Sequence, residues 1–328
     1  MYVKRTYSFW MTFNWSKWPF IVGTLYGLAV VALSYFLKVS LAIPWGPLGV
    51  IGIAVAFYLG FKNNSSYDRT WEARKIWGSI VNNSRTFGAA VMAFVQGADA
   101  PVIQRELIYR HLAWLTALRH QLRLSRSWEH VENRLNGIYA PEVSEDYNQK
   151  LGGELSGLLS ETDFERLRGV SNKATQLLKL QSVRLQALRD AGYFEDFRHI
   201  AFHDLVTTFY EDQGKSERIK NFPFPRQYAS AGLWLTWIFC ILVPFGLLDI
   251  LAAAEPWKIW MCPLLAGIVI WVFFATEKIG DYSENPFEGT YNDVPITSIS
   301  RAIEIDLREM LEEEDIPEPV AAVNGFLM

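Results

Sequence analysis

The sequence predicts an all-α membrane protein with four transmembrane helices per subunit and a large helical region outside the membrane. Four long apolar runs stand in two pairs, and apolar residues recur at helical spacing between the pairs. No stretch alternates polar and apolar residues as a half-buried strand does. With 328 residues, 50% of them hydrophobic, and 13 Trp, the chain is too polar for a bundle wholly in lipid and too apolar for an average soluble enzyme.

The apolar runs predict spans over about residues 18–41, 46–62, 228–254 and 257–276. Short links at Pro44–Pro47 and Ala252–Trp257 join them pairwise, so each pair predicts a helical hairpin. An even number of spans places both termini on one side of the membrane. Basic residues flank the spans on that side, which predicts cytoplasmic termini: Lys4, Arg5, Lys17, Lys62, Arg69, Arg74, Lys75 and Arg226.

The residues outside the membrane, 63–225 and 277–316, also read as helices. Apolar spacing predicts helices over Trp71–Val95, Val102–Leu122, Phe164–Leu188, His199–Tyr210 and Thr297–Glu314, with a loop over Ser125–Glu145. Because the chain returns to the membrane after residue 225, we expect residues 1–328 to form a single integrated domain. The tail, residues 317–328, is predicted to be mobile.

Composition and motifs exclude several functions. A net charge of −4 does not fit a basic nucleic-acid footprint. The sequence has no glycine-rich phosphate loop and no nucleophile elbow, so we do not expect an enzyme of those classes. Cys240 and Cys262 lie inside apolar spans and are most simply buried thiols.

The second span carries a column of large apolar side chains. Ile53, Phe57 and Phe61 are spaced four apart and so stack on one side of the helix, and a polar helix follows without a break. Such residues are ordinarily lipid-facing or packed. With polar sequence beneath them they also fit rings of an apolar constriction, which gates ions by dewetting. Four spans cannot enclose water, so a pore requires a symmetric ring of subunits.

Three stretches carry a family resemblance: Leu59–Arg85, Ser216–Tyr228 and Glu284–Pro295. Together they resemble the bacterial branch of the bestrophins, and the likeness runs nearly the whole chain in order. The resemblance implies a homopentameric ion channel in the bacterial inner membrane, with Ile53, Phe57 and Phe61 as its hydrophobic neck. It also implies a second constriction outside the membrane, which falls by offset on Ile200.

Animal members of that family carry a calcium clasp after the last span. The corresponding region here offers only a reduced set of oxygen ligands, namely Asn285, Glu288, Asn292 and Asp293. A shell of seven or eight oxygens is hard to build from so few charges, so we expect no calcium cofactor. Local capping or pairing is the alternative role of these carboxylates.

The sign of the permeant ion follows less directly. An apolar neck does not select charge, so selectivity depends on charges near the vestibule. Asp204, Glu211 and Asp212 outnumber His199 and His203 if the histidines are neutral. This balance favours monovalent cations, as does the resemblance to bacterial members, and an anion (chloride) channel of the same fold is the alternative.

His199 and His203 also raise the possibility of a metal site. Their spacing of four on one helix suits zinc or iron, although sequence fixes no third ligand. The alternative of another class is therefore a membrane-embedded metalloenzyme, and a structural scaffold is a third. The partners expected for the channel are copies of the same chain, membrane lipid and monovalent ions.

Overall fold

The computed structural model describes residues 1–130 and 147–328, and these residues form ten α-helices. The helices are α1 (Phe9–Leu37), α2 (Trp45–Phe94), α3 (Ala100–Arg123), α4 (Tyr147–Leu158), α5 (Glu161–Arg166), α6 (Lys173–Asp190), α7 (Asp196–Asn221), α8 (Arg226–Ala254), α9 (Cys262–Asp281) and α10 (Ile296–Met310). A 3₁₀ turn at Pro256–Met261 precedes α9. Within the described residues, strand-like pairing is limited to two isolated bridges.

Four helical segments are long and apolar enough to cross a membrane. They are Phe9–Leu37, Trp45–Phe94, Arg226–Ala254 and Trp257–Asp281, one for each predicted span. The chain is therefore a membrane protein with four candidate spans. Its orientation and the compartment of its termini stay predictions.

The first span begins earlier than the sequence predicts. Ser8 accepts a hydrogen bond from the backbone of Met11 and caps α1, so the helix starts at Phe9 rather than near residue 18. It ends at Leu37 because Lys38 adopts the left-handed conformation, with φ at 53°.

The chain folds into two compact units, each packed mainly against itself. One unit contains residues 4–69 and 223–284 and is called the transmembrane unit here, after the candidate spans. The other contains residues 1–3, 70–222 and 285–328 and is called the extramembrane unit, after its predicted location. Helix α2 contributes to both. The expectation of a single integrated domain stays a prediction.

Small residues bring the transmembrane helices together. A Cβ on Gly27 of α1 would lie 3.0 Å from the Pro263 backbone of α9, and one on Gly246 of α8 would lie 2.3 Å from Leu48 of α2. Glycine at these positions allows the close approach of neighbouring helices. Cys240 and Cys262 are free thiols buried in the same core.

The extramembrane unit has a continuous apolar core built on α3. This helix is buried along most of its length, and α6, α7 and the second half of α2 contribute aromatic and aliphatic side chains to the same core. The helix predicted over Phe164–Leu188 is divided in two. Gly169 has φ at 74°, which a continuous helix does not allow, and Asn172 caps a new helix by accepting from Thr175. The predicted loop over Ser125–Glu145 lies largely outside the described residues.

The tail contacts the amino-terminal residues of the chain. Phe326 is only 2% exposed, and its ring lies 5.1 Å from that of Tyr2. The backbone of Val3 donates to the carbonyl of Gly325. These contacts join the two ends of the chain, and the mobility of the tail stays a prediction.

Candidate ion-conducting site

The column of Ile53, Phe57 and Phe61, hereafter the Ile/Phe column, is exposed on α2. The three side chains are 73%, 68% and 51% exposed, and the rings of Phe57 and Phe61 contact each other edge to face at 4.6 Å. Large apolar side chains exposed together on one helix mark a surface that lipid, another subunit or a pore must meet.

The opposite face of α2 is packed tightly. Leu48, Val55 and Leu59 are at most 2% exposed and belong to the core of the transmembrane unit. A Cβ on Gly52 would lie 2.7 Å from the Phe239 ring, so only glycine fits there without rearrangement. This packing fixes the rotation of α2 about its axis, and with it the direction of the Ile/Phe column.

A buried ion pair anchors α2 directly below the column. The ammonium of Lys62 lies 2.6 Å from the carboxylate of Glu277 on α9, and the two side chains are 1% and 11% exposed. Asp281 stands 3.9 Å from the same ammonium. Asn63 donates to the carbonyl of Thr276 on α9 at 3.2 Å. A buried charge is tolerated only with a partner, so these contacts hold the base of the column in one position.

Sequence reasoning missed this ion pair. The charge pattern predicts that Lys62 faces the cytoplasm as a flanking basic residue, yet its side chain is buried. The signal was available: Lys62 and Glu277 are opposite charges at the ends of two predicted spans, on the same side of the membrane. The two residues are 215 positions apart, so local sequence patterns did not connect them.

Ile200 lies on α7 in the extramembrane unit. It is 55% exposed, and Phe197 one turn earlier is 85% exposed, whereas Phe202, Val206 and Phe209 on the other face are at most 1% exposed. The structure thus leaves Ile200 unburied in the subunit. Its role as a second constriction stays a prediction.

The three carboxylates on which the cation prediction depends, Asp204, Glu211 and Asp212, differ in burial and in ion pairing. Asp212 is 2% exposed and accepts a hydrogen bond from Asn83 at 3.3 Å, and Lys215 lies within 3.7 Å. Glu211 is exposed but pairs with Lys215 at 3.2 Å. Only Asp204 of the three is exposed without a lysine or arginine within ion-pair distance in the described residues. Glu211 and Asp212 thus share the one ammonium of Lys215, so the predicted excess of negative charge is reduced but not cancelled.

The reduced clasp region is closed by protein donors. Asp293 is 3% exposed and accepts from the guanidinium of Arg123 at 2.5 Å, from the backbone of Gly289 at 2.6 Å and from the hydroxyl of Thr290 at 2.9 Å. With a buried guanidinium on it, this carboxylate is a poor ligand for a cation.

The other clasp carboxylate is also engaged. Glu288 is 1% exposed and accepts from the backbone of His130 at 3.2 Å and from the amide of Asn285 at 3.3 Å. Asn292 is half-buried. These residues do not fit a calcium ion, because calcium needs six to eight oxygens around one point and the acidic oxygens already accept from protein donors.

His199 and His203 line a cavity of about 360 Å³ with Gln186 and Ser182 of α6. Among the residues that the structure describes, no cluster of three or more His, Cys, Asp or Glu side chains could hold a metal ion. Residues 1–130 and 147–328 thus give the two histidines no third ligand of the kind that zinc requires. The metal site and the enzyme built on it receive no support from this geometry.

The chain is similar to known proteins over most of its length. The family model described as Bacterial/Fungal Bestrophin protein matches residues 17–309. Voltage-dependent anion channel-forming proteins of Mesorhizobium japonicum and of Escherichia coli strain K12 are each 26% identical to it. The first match covers 90% of this chain and 85% of the relative, and the second covers 90% and 87%. A bacterial bestrophin homolog from Klebsiella pneumoniae shares the fold, with a TM-score of 0.75 at 22% identity over 90% of this chain and 98% of that one.

Proposed function

Because the chain belongs to the bacterial and fungal bestrophin family, we propose that it is an ion channel whose hydrophobic neck is formed by the Ile/Phe column. The observation that carries the proposal is the exposure of Ile53, Phe57 and Phe61 on a helix whose other face is fully packed. Copies of the chain around an axis place these side chains as three successive apolar rings. The proposed assembly is the pentamer that the family resemblance implies.

The neck acts by its size and its dryness. A narrow apolar ring cannot replace the water of an ion, so it stays empty of water until it widens, and widening admits partly hydrated ions. The buried pair of Lys62 and Glu277 fixes α2 one residue beyond Phe61. A shift of α9 at Glu277 would therefore move the ring that Phe61 forms.

The comparisons favour anions over the cations that we predicted from the sequence. The similar proteins of Mesorhizobium japonicum and Escherichia coli are named for anion channel formation. Asp212 is buried and shares Lys215 with Glu211, so the exposed negative charge is smaller than the cation prediction assumed. We therefore propose conduction of small monovalent anions.

The test is a reversal potential for the purified protein in planar bilayers under a steep KCl gradient. A reversal potential close to the equilibrium potential of chloride supports the proposal. One close to the equilibrium potential of potassium restores the cation prediction. The absence of any current from folded, oligomeric protein would contradict the channel itself and return attention to a scaffold role.

A further inference from the structure

The extramembrane unit contains a cavity of about 750 Å³ between α3, the α4–α5 turn and α6. It is lined by residues of these three segments, and none of them belongs to α2 or to the helix that carries Ile200. Sites for small molecules are commonly concave, of about 300–1,000 Å³, with apolar walls and a few polar groups. The cavity has that size and shape, and the conduction of ions described above leaves it without a function.

Four arginines line the cavity. Arg105 pairs with Glu313 at 3.1 Å, outside the lining, and the other three share two carboxylates. Arg110 pairs with Asp163 at 2.6 Å and with Glu106 at 2.7 Å. Arg184 also pairs with Glu106, at 2.8 Å, and Arg166 pairs with Asp163 at 3.4 Å. The set therefore carries one positive charge that its own carboxylates do not balance.

The three arginines differ in how firmly they are held. Arg110 is 7% exposed and also donates to Gln181, so it is a fixed part of the floor. Arg166 and Arg184 are 65% and 37% exposed at the side chain. A guanidinium has five N–H donors. The single long contact of Arg166 leaves most of its donors for a ligand.

Part of the wall is apolar and open. Val102 of α3 and Val183 of α6 line the cavity and are 72% and 58% exposed, and Leu180 lies beside them. Exposed valines next to exposed arginines match a ligand that has an acidic group at one end and an apolar body at the other.

We propose that this cavity binds a small organic carboxylate with an apolar body. The carboxylate binds the guanidinium fork of Arg166, since such a fork and a carboxylate make paired hydrogen bonds. Arg184 adds its Nη1, because its Nε and Nη2 already donate to Glu106. One negative charge balances the single excess positive charge of the three arginines. The apolar body covers Val102 and Val183. Binding at this cavity is independent of the proposed ion selectivity and of the neck.

The test uses the full chain in mild detergent and measures the binding of three compounds by isothermal titration calorimetry. The compound that matches the proposed ligand is 2-naphthoate. Its neutral analogue of the same shape, 2-naphthamide, reports apolar partition into micelles, and acetate reports charge without an apolar body. We expect saturable binding of 2-naphthoate, with binding of 2-naphthamide and of acetate each weaker by about tenfold or more.

Three variants locate the binding. Arg166→Gln removes an exposed cavity arginine, and Val183→Glu adds a negative charge to the apolar wall; each should weaken 2-naphthoate binding about tenfold. Arg168→Gln is the matched control, because Arg168 is also exposed and close in sequence but is not part of the cavity lining. Melting curves establish that each variant is folded. No saturable binding, equal binding by all variants or equal binding of 2-naphthamide would each overturn the proposal.

Discussion

At the scale of single residues, Arg123 makes the contact with the clearest energetic consequence. Its guanidinium is buried against Asp293 and also donates to the carbonyl of Val294. Breaking a buried pair by removing one partner strands the other charge, whereas replacing both partners by apolar residues costs much less.

We expect Arg123→Met to destabilise the protein by about 3 kcal/mol or more, because it leaves Asp293 buried without its cation. The double variant Arg123→Met with Asp293→Leu should recover part of this loss. Thermal denaturation in detergent measures both. If the double variant loses as much free energy of unfolding as the two single variants added together, the Arg123–Asp293 ion pair does not cause the loss of stability.

His111 is a buried histidine held in its neutral form. It is 3% exposed among the rings of Phe87, Trp114 and Phe209, and a hydrogen bond of 2.9 Å joins its Nε2 to the hydroxyl of Ser84. Burial lowers its pKa from 6.5 to about 3.

This shift predicts a loss of stability in acid. The folded-state pKa lies below the unfolded one, so the contribution is complete above pH 6.5 and is lost as the pH falls toward 3. By pH 5 the loss amounts to ~2 kcal/mol. In His111→Phe the melting temperature should fall less between pH 7 and pH 5 than in the unmodified protein. An identical fall in both would show that His111 does not supply the acid sensitivity.

At the scale of elements, the rotation of α2 depends on the fit of its packed face. Gly52 meets the Phe239 ring, whereas Gly60, two turns later on the same helix, has no neighbouring atom within 4 Å of an added Cβ. The two glycines therefore form a matched pair on one helix.

Gly52→Ala should destabilise the transmembrane unit by about 1–3 kcal/mol, because overpacking forces Phe239 to move. Gly60→Ala should leave stability unchanged or raise it by up to ~1 kcal/mol, since alanine favours the helix. The melting temperatures of the two variants check this difference. Equal effects at both positions would contradict the packing that orients the Ile/Phe column.

Helices, and the residues that share one helix face, were predictable from the sequence where the spacing of apolar residues alone determines them. Four runs of apolar residues gave the four spans, and the spacing of Ile53, Phe57 and Phe61 placed them together on one face. Positions that depend on distant partners were not predictable. Lys62 and Arg123 meet acids 215 and 170 residues away, and local spacing does not pair residues so far apart. For Lys62 the one signal was an opposite charge at the end of another predicted span.

Backbone breaks were also missed where a single residue decides them. The helix expected over Phe164–Leu188 is interrupted between Arg166 and Lys173, where the positive φ of Gly169 overrides an apolar spacing that continues on both sides. The contact between Phe326 and Tyr2 was missed as well, because the two residues stand at opposite ends of the chain.

At the scale of the whole molecule, four spans do not enclose a water-filled path, so the proposed function requires several copies of the chain. We expect native mass spectrometry of protein in mild detergent to show five copies, with no dependence on added calcium. Monomers or dimers alone would count against a pore lined by α2.

The direct test of the central claim is single-channel recording of Phe57→Ala beside two controls. Leu48→Ala removes a packed side chain of the same helix, and Leu25→Ala removes an apolar side chain of α1 that is 61% exposed. If the Ile/Phe column lines the neck, Phe57→Ala widens the ring in every subunit, and conductance or open probability rises. Leu48→Ala should instead lower stability by about 2–5 kcal/mol without a gain in current. Leu25→Ala should leave the current unchanged and lower stability only slightly. A Phe57→Ala channel that conducts no better than the unmodified protein would contradict the assignment of the neck.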